Sequence, residues 1–365
     1  MLGVYVHIPF CDGKCSYCGF SSFVKTDDEK ERYINSLVEE IKEFAGEKKR
    51  EIDSIYIGGG TPSILPINLI CKLFEALKEN FKWKDGLEFT IEANPCSLDE
   101  EKLSFYKKNG VNRISLGVQS LDENQLKFIG RRHSSIEAID AVKLAKKYFD
   151  NVSCDLLIGL KDMDENAFLA QINTLAELGI THISAYMLQV EEGTRLHRLV
   201  EKNKHLLPTD DDCVDVYEKM TDKLAILGFS QYEISNFAKQ GYESYHNFKY
   251  WTGQEYVGFG LGAHSYLNGK RIANDTTFSG YYDRIHTIEA INDQQRLEEH
   301  IMLGLRCKAG ISKIVMKTLG YDITTNSNLV EFVEKGILNQ QGDIITLNPD
   351  YYGVSNYIIV KLLPE

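Results

Sequence analysis

Within its first 187 residues the chain switches repeatedly between a short apolar run and an amphipathic helical stretch, and few folds accommodate that rhythm. Gly3 to Ile8, Ile52 to Ile57, Leu87 to Ala93, Arg113 to Val118, Val152 to Ile158 and Thr181 to Met187 read as strands. Between them, apolar residues recur at helical spacing. Asp27 to Glu47 carries Tyr33, Ile34, Leu37, Val38, Ile41 and Phe44 on one face, and Pro66 opens a second helix. Further helices are expected from Asp99 to Lys108, Ser135 to Tyr148 and Glu165 to Leu178. Strands joined by helices run parallel, so the expected fold is α/β: a partial (β/α)6 barrel with its helices outside.

Barrels of this kind work at the C-terminal ends of their strands. Those ends carry His7, then Gly58 to Thr61, Glu92 with Asn94, Gln119, Asp155, and Tyr186 with Gln189. Polar groups or glycines at every mouth of otherwise apolar strands point to a site on one rim. Taken singly, Glu92, Gln119 and Asp155 could each cap the helix that follows, and Arg131 could be a solvated surface cation.

Just past the first strand, Cys11, Cys15 and Cys18 form a C-x3-C-x2-C array. Three thiolates with no fourth nearby can hold three irons of an iron–sulfur cluster and leave the fourth open for chemistry. A Cys3His zinc site recruiting His7 and a set of inert buried thiols are the competing readings. Structural zinc usually draws on two separated ligand pairs, and inert thiols are seldom so dense. The remaining cysteines are scattered singly, which is no disulfide framework and fits a reducing cytoplasm.

Beyond residue 190 the rhythm changes. Residues 1–190 are the expected barrel, and 191–290 an extension holding a loop rich in aromatics, His and Gly at 241–266. Residues 291–365 suggest a smaller C-terminal α+β domain, winged-helix-like, with a hairpin turn at Gly342-Asp343. A net charge of −12 argues against a nucleic-acid partner even for that domain. Lys48-Lys49-Arg50 and Arg131-Arg132-His133 are too short to alter this. No run is long and apolar enough to span a bilayer, and residues 1–10 lack a signal-peptide pattern. Gly258-Phe259-Gly260-Leu261-Gly262 lacks the strand–turn–helix setting of a dinucleotide site.

The cysteine array, Gly58-Gly59-Gly60-Thr61-Pro62 after the second strand and the polar strand ends resemble the radical S-adenosylmethionine superfamily. The resemblance implies a [4Fe–4S] cluster on Cys11, Cys15 and Cys18. Its open iron would chelate the amino and carboxylate groups of S-adenosylmethionine and deliver the electron that cleaves the sulfonium. It also implies cofactor contacts from Tyr5, Gly59, Gly60, Thr61, Glu92, Gln119, Arg131 and Asp155. Over essentially the whole chain, Tyr5 to Cys18, Tyr232 to Ala238 and Gly258 to Ser265 resemble the family of oxygen-independent coproporphyrinogen oxidases and the related HemW-type heme chaperones. Tyr17 matches an aromatic position that contacts a second S-adenosylmethionine in the oxidases.

Two departures separate the branches. Phe20 stands where the oxidase pattern has a fourth cysteine, and the cluster motif begins at Tyr5 without the oxidases' N-terminal extension. His246-Asn247-Phe248-Lys249-Tyr250-Trp251 is similar to the H-N-x-x-Y-W signature of the chaperone branch. The resemblance thus implies heme as a ligand, with His246 as a candidate axial donor beside flat aromatic walls. Acceptor hemoproteins, membrane-bound ones included, would be the partners, and a homodimer is compatible with this. The alternatives are the oxidase itself and a structural metal-binding scaffold.

Overall fold

A computed structural model describes residues 1–46 and 49–364. Glu47, the expected end of the first helix, and Lys48 of the basic run lie outside the described residues. The expected strands appear as β1 (Leu2–Ile8), β2 (Arg50–Gly59), β3 (Phe81–Ala93), β4 (Arg113–Gln119), β5 (Asn151–Ile158) and β6 (His182–Met187). They pair in sequence order and all run parallel. Intervening helices span Asp27–Ala45, Ile67–Asn80, Glu100–Lys108, Ser135–Tyr148 and Glu165–Glu177. Capping boxes at Thr26 and Ser134 and the Asp99 and Asp164 side chains satisfy amides that helix starts leave free.

The sheet then grows at both edges. β7 (Ser230–Glu233) and β8 (Asn236–Ala238) form an antiparallel pair on β6. β9 (Tyr256–Phe259) joins β1 in parallel, and β10 (His264–Leu267), β11 (Lys270–Asn274) and β12 (His286–Ala290) continue antiparallel. The order β12-β11-β10-β9-β1-β2-β3-β4-β5-β6-β8-β7 leaves two unjoined edges, so the barrel is open. One apolar core lies between the sheet and its helices, including Val4, Val6, Ile55, Ile57, Ile91, Ile114, Leu116 and Leu156. A second gathers Leu297, Ile301, Phe332, Ile345 and Ile359 around β13 (Ile311–Ser312), β14 (Leu338–Gln341) and β15 (Ile344–Leu347). Its order of helix, strand, two helices and two strands is winged-helix-like.

The interior of the barrel is polar. Tyr56, Glu92, Arg113, Ser115, Gly117, Asp155, Ser184 and Tyr186 face a cleft, while the residues alternating with them join the core. Period-two alternation thus puts a polar layer below the rim as well as on it.

Candidate functional site

A cleft of about 1110 Å³ opens at the C-terminal ends of the strands. The loop carrying Cys11, Cys15 and Cys18 forms one wall, and all three thiols are free and partly exposed. Its conformation is held from several sides. Cys11 N donates to the Phe23 carbonyl at 3.0 Å, Ser16 N to Ile129 O at 2.8 Å, and Leu196 N to Ser16 O at 2.8 Å. Tyr17 packs on a small cluster of Ile129, Leu157 and Leu160 beneath the loop. Among the described residues, no group of three or more His, Cys, Asp or Glu side chains is placed to hold a single metal ion.

The glycine turn after β2 meets this loop directly. Gly60 N donates to Ile8 O at 2.8 Å and Thr61 N to Phe10 O at 2.7 Å, while Thr61 Oγ1 lies 3.5 Å from Cys11 Sγ. A Cβ on Gly60 would sit 2.5 Å from the Phe10 carbonyl oxygen, so a side chain there would displace the cysteine loop. Gly59 has φ +115, and its Cβ would strike the His7 ring at 2.7 Å. The glycines therefore serve the packing of turn against loop as well as any approach by a ligand.

Glu92, Gln119, Arg131 and Asp155 all line the cleft together with Gly59, Gly60 and Thr61. Glu92 accepts from the Tyr56 hydroxyl at 2.7 Å and from Gly59 N at 3.1 Å. Burial nevertheless pushes its carboxyl up to about 7, and burial likewise raises that of Asp155. Gln119 holds a left-handed φ of 68 at an irregular point in the β4–β5 pairing, a strained backbone that brings its amide beside Gly117. Arg131 follows an unforeseen helix, Glu123–Ile129. Its guanidinium donates to Asn94 Oδ1 at 2.6 Å and to the Gly117 carbonyl, and Nη1 lies 3.7 Å from Cys15 Sγ. Its Nε is buried without a partner. None of these four caps a helix: Asp99, Asp122 and Asp164 do that work.

Two expected contacts lie elsewhere. Tyr5 sits under the glycine turn, bonded through its hydroxyl to His7 Nδ1 at 2.9 Å, and does not line the cleft. His246 is fully buried, with Nδ1 bonded to Ser54 Oγ and Nε2 to the Tyr250 hydroxyl, each at 2.9 Å. The expectation of an axial donor is corrected here, because neither nitrogen is free and the ring is sealed from the cleft. Its neighbour Asn247 does line the cleft. So do Tyr56, Arg113, Ser184 and, from the C-terminal domain, Tyr352, Ser355 and Asn356. The alternation of polar residues along β2 to β6 could have revealed the first three; no local signal marks the last.

The residues fit an iron–sulfur cluster and S-adenosylmethionine. Three free thiols share one wall, an unpartnered Arg131 Nε adjoins them, and two desolvated carboxylates face the cavity.

A model of the radical SAM superfamily matches residues 5–175. The heme chaperone HemW of Bacillus subtilis is 37% identical over the full length of both chains. Its counterpart in Lactococcus lactis is 34% identical over 98% of this chain and 96% of that one. The mitochondrial radical S-adenosyl methionine domain-containing protein 1 of Mus musculus is 32% identical over 85% of this chain and 74% of its own. Among solved structures, the radical SAM enzyme coproporphyrinogen III oxidase (HemN) of Escherichia coli aligns with a TM-score of 0.86. That alignment covers 99% of this chain and 90% of the oxidase at 19% identity, a likeness of fold. With the fold, the cleft and end-to-end identity in agreement, the chain belongs to the HemW family of radical SAM proteins.

Proposed function

We propose that the protein is a cytoplasmic heme chaperone, taking up heme in the cleft and passing it to acceptor hemoproteins, membrane-bound ones included, as a monomer or homodimer. Cys11, Cys15 and Cys18 would hold a [4Fe–4S] cluster. Gly59, Gly60, Thr61, Glu92, Gln119, Arg131 and Asp155 would hold S-adenosylmethionine, with Tyr17 beside it. When bound, these groups supply one-electron reductive cleavage of the sulfonium. The chain's own residues orient the ligand: Arg131 meets its carboxylate, ionised Glu92 its ammonium, and Gln119 and Asp155 its hydroxyls.

The observation that carries the reading is the 37% identity with a heme chaperone across both full chains. The cleft mouth supports it. Phe20 is 69% exposed, and Tyr186 and Met187 are also exposed beside the same cavity. Apolar side chains left open around a polar cavity suit a flat apolar ligand. Tyr186 and Met187 also carry donor types that ligate heme iron.

Anaerobically reconstituted protein titrated with heme should develop a saturable Soret band, and loaded protein should transfer that heme to an apo-hemoprotein. Absence of saturable binding would refute the proposal. Formation of protoporphyrinogen from coproporphyrinogen would assign the oxidase reaction instead.

A further inference from the structure

Arg113 begins β4 at the bottom of the barrel, and its side chain is 1% exposed. Its Nε and Nη1 are buried and have no hydrogen-bond partner, yet the residue lines the cleft. Among the described residues no carboxylate lies within ion-pair distance of it. The Glu88 carboxylate, which accepts from the backbone amides of Tyr245 and His246 at 2.8 Å each, is the charge Arg113 feels first, ahead of Asp155.

Strand register explains what such a cation faces. Ser115, the next inward residue of β4, stands directly across from Glu92 on β3 and from Ser153 on β5. Its hydroxyl donates to Asp155 at 3.4 Å. Arg113 lies one inward step below Ser115, so a side chain reaching toward the cleft rises between the two carboxylates. Both carboxylates feel its charge, and Glu92 also feels that of Asp155.

Other groups face the pair. Around Glu92 are Tyr56, Asp155, and the Tyr5 and Tyr250 rings that sense its charge. Around Asp155 are Ser184, Ser115, Arg131, and the rings of Tyr17 and Tyr186. Arg131 is already bonded to Asn94 and Gly117 at the rim. The Lys249 ammonium forms its ion pair with Asp53 at 2.9 Å. Two desolvated carboxylates facing one cleft favour their protonated forms when no cation stands by them, and a protonated carboxyl, though its carbonyl oxygen still accepts, offers an ammonium no ion pair.

We infer that Arg113 is the counter-ion of the cleft, a positioning residue that favours the ionised forms of Glu92 and Asp155 as acceptors for the ammonium and hydroxyl groups of bound S-adenosylmethionine. The inference rests on the proposed cofactor site and adds a residue that does not itself touch the ligand.

Reconstituted native protein and Arg113→Gln, checked for folding by circular dichroism, would be titrated with S-adenosylmethionine from about pH 6 to about pH 9, bracketing Glu92. The ratio of the two dissociation constants cancels titration of the ligand's own amine. That ratio should be smallest at high pH and grow by up to about tenfold per unit as pH falls through the variant's raised titration. Arg113→Lys, which keeps the charge, should track the native protein. A ratio of one throughout, or a constant ratio indicating a steric role, overturns the inference. Native protein that binds no S-adenosylmethionine at any pH overturns the cofactor reading and the inference together. Should Arg113→Gln not fold, the pair Arg113→Gln with Asp155→Asn, which removes one charge of each sign, should fold; its failure to do so also overturns the inference.

Discussion

Two regions of the barrel combine polar and aromatic side chains, and their hydrogen bonds set them apart. At the rim, atoms are left over: three free thiols, an unpartnered Arg131 Nε, and two carboxylates whose burial favours their protonated forms. In the helix Tyr245–Trp251 the buried polar side chains are spoken for. Ser244 caps it, both nitrogens of His246 are bonded, and Lys249 pairs with Asp53. A recognisable motif thus has different meanings in the two places. Unsatisfied groups facing a cavity are poised for a ligand, whereas satisfied groups facing a core hold the fold together.

The comparison breaks if the helix is dispensable. Lys249→Met would leave Asp53, only 4% exposed, as an unpaired buried charge. We expect a loss of about 3–5 kcal/mol in denaturant unfolding. A change below about 1 kcal/mol would place the pair among those with no structural weight.

His246→Ala should cost about 2–3 kcal/mol, since it opens a cavity and strips partners from Ser54 and Tyr250. Burial holds the His246 ring down to about 3, so the folded state refuses a proton that the unfolded state takes. Its contribution is therefore complete at neutral pH and erodes as pH falls below about 6.5, with about 2 kcal/mol lost by pH 5. His7 and His133, held down to about 4, act in the same direction. Glu92 and Glu233, raised to about 7, act in the opposite direction as pH rises from about 4.5 to 7. Stability curves of native and His246→Ala protein should accordingly converge on acidification; parallel curves would contradict the buried neutral ring.

Glu92→Gln sharpens the contrast from the other side. A raised carboxyl pKa means that ionised Glu92 costs stability above neutral pH. The variant should gain about 1–2 kcal/mol at pH 8 and little at pH 5. Its affinity for S-adenosylmethionine should fall by about tenfold or more by calorimetry. Loss of stability with affinity unchanged would make Glu92 a structural residue. Phe20→Ala should be the mildest change in stability, within about 0.5 kcal/mol, because the ring is 69% exposed. A several-fold weakening of heme binding is expected there, about 1 kcal/mol.

Much of the barrel was legible because its signals are local. The six strand cores and the helix Ser135–Tyr148 follow from periodicity and caps alone. The rim followed from the rule that strand ends carry function, and Glu92, Gln119 and Asp155 do share one cleft; Arg131, which follows a helix, was marked only by the family resemblance. Arg113 and Tyr56 escaped because they sit below the ends, where inward polarity is read only by following each strand in steps of two. His246 shows the opposite failure. Its sequence neighbours advertise a heme pocket, but Ser54 and Tyr250, 192 and 4 residues away, close both ring nitrogens. The C-terminal wall at Tyr352 and Asn356 depends on how a second core packs against the first, which no window of sequence encodes.

The most direct test of the contrast is an anaerobic heme titration of folded His246→Ala protein, read by its Soret band. With both ring nitrogens bonded in the core, the variant should give a band like that of the native protein and a dissociation constant within about threefold of it. A folded variant that loses the band would contradict this and place the heme iron on the buried ring.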